Sequence, residues 1–105
     1  MNKLKFKLTK AEYIAIMGII YHMAKPPAKS TGNKYAAKII VAIYSELFTK
    51  MSLRFIKGLK PKNTLTLTVA EACLMAMTIP GFYNEMDPHT LAVLSPIIME
   101  IDRSL

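Results

Sequence analysis

Residues 6–12 read FKLTKAE and residues 65–71 read LTLTVAE, so the pattern L-T-x-A-E follows a short alternating run twice in 105 residues. In the first run apolar residues alternate with lysines, and in the second leucine alternates with threonine, which is typical of strands with one buried face. Thr9 and Thr68 each stand three residues before a glutamate, the spacing of a capping box that satisfies two free backbone N–H groups. The repeat therefore predicts two strand-to-helix corners, which arose either by chance or by an ancient duplication.

These corners organise the predicted fold. Pro26-Pro27 and Pro80-Gly81 are expected to end the helices that follow them, because proline has no N–H to continue a helix. Each half then adds another helix, and the order becomes β-α-α-β-α-α. The prediction is a mostly helical α+β fold with four main helices on a small two-stranded sheet, its strand pairing left open as parallel or antiparallel. The predicted helices cover about residues 10–25, 34–56, 69–79 and 88–104.

The last helix contains two possible starts. Asp87-Pro88 and Ser95-Pro96 each combine a capping side chain with proline at the first helical position. Either one helix is kinked at Pro96, or a short helix ends near Leu94 and a second begins. In the unbroken case an apolar stripe at 3-4 spacing faces the core, formed by Leu91, Leu94, Ile98, Ile101 and Leu105.

The length of the chain favours one domain, residues 1–105, with two similar halves of opposite charge. Residues 1–62 carry 13 lysines and arginines against two acids, a net charge of +11, whereas residues 63–105 carry one arginine against five acids, a net charge of −4. Such asymmetry indicates an anionic partner for the basic half or association between opposite faces of two molecules.

The second helix has a broad apolar arc, which we expect to lie in the core. Lys50 and Arg54 fall on the same arc, which indicates that it leaves the core near residue 50 or that the helix bends there. The opposite side carries Lys34, Lys38, Ser45 and Thr49, a solvated strip. The arc comprises Ile39, Ile40, Ile43, Tyr44, Leu47, Phe48 and Met51.

The sequence contains no recognisable catalytic or cofactor motif. Cys73 is the single cysteine, which excludes a disulfide framework and a C-x-x-C motif, and its apolar surroundings favour a small buried side chain. The glycines are too scattered for a nucleotide-binding loop, and no His, Cys and carboxylate spacing indicates a metal. We therefore predict a protein that is not an enzyme and has no cofactor, metal or small-molecule substrate.

Basic residues form the strongest candidate site. One group lies in residues 50–62, and a row of lysines on the first strand is added to it. The loop before the second helix contributes two more lysines that could hold an anion. These residues suit DNA or RNA, but a solvated basic surface is slightly favoured, since lysine dominates over arginine and no aromatic side chain is clearly interleaved for stacking. A membrane-surface role is less favoured, because the apolar residues of this segment are expected in the core. The candidates are Lys3, Lys5, Lys7, Lys29, Lys34, Lys50, Arg54, Lys57, Lys60 and Lys62.

The function favoured by the sequence is a small non-enzymatic interaction module that self-associates and binds another macromolecule. The alternative is a nucleic-acid-binding accessory protein that uses the basic half. Self-association could use the strand TLTLT, which lacks lysines that protect an edge, or an exposed helix face. Phe82 and Tyr83, in the predicted loop GFYNEMD, are candidate contacts for a partner. We expect a cytoplasmic protein, because a signal peptide is not supported and no apolar run reaches the roughly 20 residues of a membrane span.

Overall fold

The computed structural model describes residues 3–25 and 34–105, and within them two strands and four α-helices occur in the predicted order. The α+β fold class is confirmed, and every helix boundary that can be compared lies within two residues of its predicted position. Pro26-Pro27 lies outside the described residues. The elements are β1 (Leu4–Leu8), α1 (Lys10–Ala24), α2 (Lys34–Lys57), β2 (Asn63–Leu67), α3 (Val69–Thr78), a 3-10 helix (Ile79–Glu85) and α4 (Pro88–Ser104).

β1 and β2 form an antiparallel two-stranded sheet, which settles the orientation that the sequence left open. Phe6 pairs with Leu65 at the centre, and the register runs from Leu4 with Leu67 to Leu8 with Asn63. The leucines of β2 are buried, while the lysines of β1 are exposed. The alternation in the sequence thus separates one covered face from one solvated face.

Both strand-to-helix corners are capping boxes, as predicted. At the first, the Thr9 N–H donates to Glu12 Oε1 at 2.8 Å, and the Glu12 N–H donates to Thr9 Oγ1 at 3.2 Å. At the second, the same two bonds join Thr68 and Glu71 at 2.8 and 3.1 Å. Glu71 is buried and Glu12 is not, so the second box is the better shielded from water.

The segment after α3 differs from the prediction of a loop. α3 ends at Thr78, but the chain continues as a 3-10 helix through Pro80 and Gly81 to Glu85. Proline is tolerated here because it stands in the first turn, where its missing N–H would have no helical partner. Pro80 therefore changes the type of helix without ending the helical path.

α4 is one helix that contains Pro96, so the unbroken alternative holds. Asp87 caps it, accepting from the Thr90 N–H, and Pro88 occupies the first turn. Leu94, Ile98 and Ile101 of the predicted stripe are buried, together with Ile97. Leu91 is half-buried and Leu105, at the end of the stripe, is exposed.

The chain packs as two compact units, one formed by the residues up to Ile16 together with Lys60–Leu105, and the other by Met17–Leu59. The first unit buries apolar residues of β1, β2, α3 and α4, and the second buries Ile20, Met23, Tyr44, Leu47 and Met51. These boundaries do not follow the halves 1–62 and 63–105, and the single domain stays a prediction.

Gly58 ends α2. Its N–H donates to the Phe55 carbonyl at 3.1 Å, and its φ of 106° lies in the region that L side chains rarely adopt. The helix therefore stops at Lys57, and the chain turns toward Lys60 and the start of β2.

Candidate functional site

The lysine row on β1 lies on one face, as predicted. Lys3, Lys5 and Lys7 are exposed, and in the sheet register Lys5 pairs with Thr66 and Lys7 with Thr64. The solvated face of the sheet therefore presents cations beside threonine hydroxyl and methyl groups. Such a face can contact phosphate oxygens, and its charge also discourages pairing with other strands.

Lys60 and Lys62 are held at one end of this sheet by Asn63. The Asn63 side chain accepts from the Lys60 N–H at 3.0 Å and donates to the Lys60 carbonyl at 2.8 Å. Its amide also donates to the Leu8 carbonyl at 3.4 Å, which fastens the turn to the end of β1. The two exposed lysines are thus placed at the end of the sheet where Lys7 lies.

The second set of cations lies on α2, in the other unit. Lys50, Arg54 and Lys57 are exposed and follow one another by four and three residues, so they share a face of the helix as predicted. Lys34 begins α2, and Lys29 lies outside the described residues. The described cations of the predicted basic site are therefore divided between the two units, one group on the sheet and one on α2.

The last turns of α2 correct one expectation about the basic segment, that its apolar residues lie in the core. Leu53, Phe55 and Ile56 are 55%, 44% and 78% exposed, so they are not in the core. Phe55 stands between the exposed Arg54 and Lys57 in the sequence, but the helix places it on a different face from the cations. The physical reason is that Met51 is the last buried residue of α2, and the residues from Leu53 to Lys57 are exposed on every side of the helix.

The prediction that the apolar arc of α2 lies in the core was only partly right. Tyr44, Leu47 and Met51 are buried as expected, but Ile39 is 60% exposed, and Ile40, Ile43 and Phe48 are half-buried. The tilted ring of Phe48 packs on Tyr21 of α1 with 5.2 Å between centroids, and Lys25 Nζ lies 4.6 Å above Tyr21. The centre of the arc is covered, and its Ile39 edge faces solvent.

A continuous row of exposed residues runs along α2, and we call it the outer face. Its seven members succeed one another by four and three residues in strict alternation, the spacing at which helices pair side by side. A depression of about 490 Å³ at its middle is lined by Ser45, Glu46, Thr49 and Lys50. The outer face consists of Tyr35, Ile39, Ala42, Glu46, Thr49, Leu53 and Ile56, all exposed. Sequence reasoning missed this surface because it assigned Ile39 to the core, although the 4-3 spacing was available to find it.

Phe82 and Tyr83 lie in the 3-10 helix, and both are half-buried. Burial raises the pKa of the Tyr83 phenol above its usual value, and the nearby Asp102 carboxylate raises it further. Tyr83 is therefore near the end of α4 and partly covered by its own unit. Its role as a partner contact stays a prediction.

Three acidic side chains have structural roles at the starts of helices. Glu12 and Glu71 complete capping boxes, and Asp87 accepts from both the Thr90 hydroxyl and its N–H, bonds that hold the pKa of Asp87 below its usual value. Cys73 is half-buried, not fully buried as expected. Across residues 3–25 and 34–105, no group of three His, Cys, Asp or Glu side chains could hold a metal ion.

Comparison with known proteins adds no family. No family model, no curated protein and no solved structure matches the chain. Among the helices that the structure describes, none combines the length and the apolar character needed to cross a membrane.

Proposed function

We propose that this chain is a small, non-enzymatic, cytoplasmic interaction module that self-associates and binds another macromolecule. The observation that carries the proposal is the outer face of α2. It exposes Tyr35, Ile39, Leu53 and Ile56 along one helix, whereas large apolar side chains exposed singly are normal on any protein. An extended row of such residues on a helix is suited to contact with a second macromolecule.

Self-association is tested by sedimentation equilibrium over a range of protein concentrations. The wild-type chain is expected to shift from monomer to a defined oligomer, and Ile56→Asp to shift the transition to higher concentration. Met77→Asp is the matched control, because Met77 on α3 is 77% exposed and Ile56 is 78% exposed. If the wild type stays monomeric, self-association is wrong, and if Ile56→Asp associates like the wild type, the outer face is not the surface that it uses.

A second candidate function, nucleic-acid binding, is favoured by one observation of its own. Phe55 is exposed in the last turns of α2, on a different face from Lys50, Arg54 and Lys57, so a single strand that passes around the end of the helix could stack a base on the ring while the cations contact phosphates. Lys60 and Lys62 follow Lys57 closely in the sequence and would add contacts with the phosphate backbone.

Fluorescence anisotropy of labelled single- and double-stranded DNA and RNA, repeated from low to physiological salt, tests this candidate. Lys57→Glu with Lys60→Glu and Lys62→Glu should abolish binding and leave an apolar oligomer intact. Phe55→Ala should weaken binding to single strands most, since stacking contributes about 1–3 kcal/mol per base. Lys38→Glu, an exposed lysine elsewhere on α2, is the charge control. Binding that vanishes at modest salt would rule the candidate out.

A further inference from the structure

The outer face of α2 repeats like a coiled-coil seam over three heptads. Four of its seven members are large apolar residues near the two ends, and the polar Glu46 and Thr49 stand together near the middle. The face lies away from Tyr44, Leu47 and Met51, which are the buried residues of the same helix. A helix partner would therefore meet an apolar contact at each end and a polar contact at the centre.

We propose that this face pairs with the same face of a second copy of the chain, with the two α2 helices antiparallel. The proposal rests on the self-association proposed above and names its surface. In one antiparallel register Ile39 faces Ile56 of the second copy, Ala42 faces Leu53, and Glu46 faces Thr49. Since the arrangement has two-fold symmetry, each of these contacts occurs twice. In each of these contacts an apolar residue meets an apolar residue, or a polar residue meets a polar one.

Other registers match less well. Shifting the antiparallel pair by one heptad places Glu46 opposite Ala42 and Ile39 opposite Thr49, which buries a carboxylate against a methyl group. A parallel pair in register places Glu46 against Glu46 of the second copy, and two like charges would then be buried together. A parallel pair would also bring the basic C-terminal ends of both helices to the same end.

Charge complementarity supports the second copy as the occupant. Glu46 is the only acidic residue in the sequence of α2, and in the matched register it lies beside Lys50 of the second copy. The Thr49 hydroxyl already donates its proton to the Ser45 carbonyl of its own helix at 2.9 Å. It therefore does not donate to the Glu46 carboxylate that it faces in this register, and the ammonium group of Lys50 is the donor that the register brings to that carboxylate. The depression lined by Glu46, Thr49 and Lys50 lies where the two helices would cross the symmetry axis.

The flanking residues avoid repulsion in this register. Lys50 lies beside Ile43 of the second copy and Lys57 beside Ala36, so their alkyl stems cover apolar side chains while the ammonium groups stay in water. The cations at the C-terminal ends of the two α2 helices lie at opposite ends of the pair. About 20 residues of each helix overlap, a length of about 30 Å.

The register is tested by disulfide formation between cysteines placed on the outer face. In a Cys73→Ser background, Ile39→Cys and Ile56→Cys proteins are made separately, oxidised alone, and oxidised as a mixture. The proposal predicts a linked dimer in the mixture only, because residues 39 of the two copies would be about 26 Å apart along the helices. Both substituted side chains are exposed, so the core is not altered, and circular dichroism checks the helix content of each variant.

A charge exchange supplies an independent readout. Glu46→Lys should raise the dissociation constant roughly tenfold, since it sets a cation beside Lys50 of the second copy. Adding Lys50→Glu to the same chain should restore most of the affinity. Lys38→Glu, which keeps Glu46 and Lys50, should change it little.

The outcomes separate this inference from the proposed function. Association without the mixed disulfide, or with disulfides in each variant alone, overturns the antiparallel pair and leaves self-association standing. A monomer at every concentration overturns both. Failure of the charge exchange to restore affinity also overturns the register.

Discussion

Asn63 joins the two strands of the sheet through its side chain as well as its backbone, because its amide donates to the carbonyl of Leu8, 55 residues earlier, at 3.4 Å. The same side chain closes the turn at Lys60 with bonds of 3.0 and 2.8 Å. One buried amide thus fixes both the strand register and the position of two lysines of the candidate basic surface.

Asn63→Ala is expected to lower the free energy of unfolding by about 1–3 kcal/mol, since it leaves buried backbone groups without their partners. Urea unfolding followed by circular dichroism measures the change. Asn84→Ala is the control, because Asn84 is exposed in the 3-10 helix. Equal stability of the two variants would show that the Asn63 bonds contribute nothing to the fold.

The capping boxes predict a second effect on stability. Thr68→Ala and Thr9→Ala should each lower the free energy of unfolding by about 1 kcal/mol, because each removes the acceptor for a helix N–H. Thr68→Ser and Thr9→Ser retain the hydroxyl and should change stability much less. Thermal unfolding of the four variants decides the matter, and a loss that is the same for Ser and Ala would contradict the capping role.

Replacing each of two glycines by alanine is expected to change the free energy of unfolding in opposite directions. Gly58 has a φ of 106°, so Gly58→Ala strains the backbone and should destabilise the protein by roughly 1 kcal/mol. Gly18 lies inside α1 with nothing within 4 Å of an added Cβ, so Gly18→Ala should stabilise it by about 0.5–1 kcal/mol. If the denaturant midpoints of both variants move in the same direction, one of these two explanations is wrong.

Tyr83 gives a prediction that depends on pH. Its folded-state pKa lies above the ordinary value of 10.0, first because of burial and then because of Asp102. The folded state therefore favours the neutral phenol, and this contribution to stability is complete below pH 10.0 and is lost as the pH rises through the folded-state pKa. Asp102→Asn should lower the pKa of Tyr83 without returning it to 10.0, since burial remains.

The measurement for Tyr83 is the pH dependence of its ring chemical shift, assigned by comparison with Tyr83→Phe. Glu85→Gln is the control, because Glu85 is an exposed carboxylate close to Tyr83 in the sequence, whereas the carboxylate that raises the pKa of Tyr83 belongs to Asp102. The control should leave the pKa of Tyr83 nearly unchanged. An unchanged pKa in Asp102→Asn would show that its carboxylate does not act on the phenol.

The corners could be predicted from the sequence because their determinants are local. A strand with period two, a threonine and a glutamate three residues later specify the end of β1 and the start of α1 with no knowledge of distant residues. The antiparallel pairing could not be predicted, because the long connection from Lys10 to Lys62 permits either orientation.

The outer face of α2 was harder to predict than the corners, for a physical reason. Helical periodicity shows which residues share a face, but it does not show whether another element covers that face. Ile39 and Leu53 therefore look like core residues in the sequence and are exposed in the structure. The lysine row on β1 was predicted correctly because lysines that alternate with apolar residues on a strand belong on its solvated face.

The register of the sheet also has a meaning in terms of symmetry. Leu8 and Leu67 occupy the same place in the repeated corner, as do Leu4 and Asn63, and the pairs Leu4 with Leu67 and Leu8 with Asn63 exchange when the two corners are interchanged. An approximate two-fold axis therefore passes near the pair of Phe6 and Leu65. Each corner therefore meets the other across the sheet as one subunit of a symmetric dimer meets its partner, although both belong to one chain.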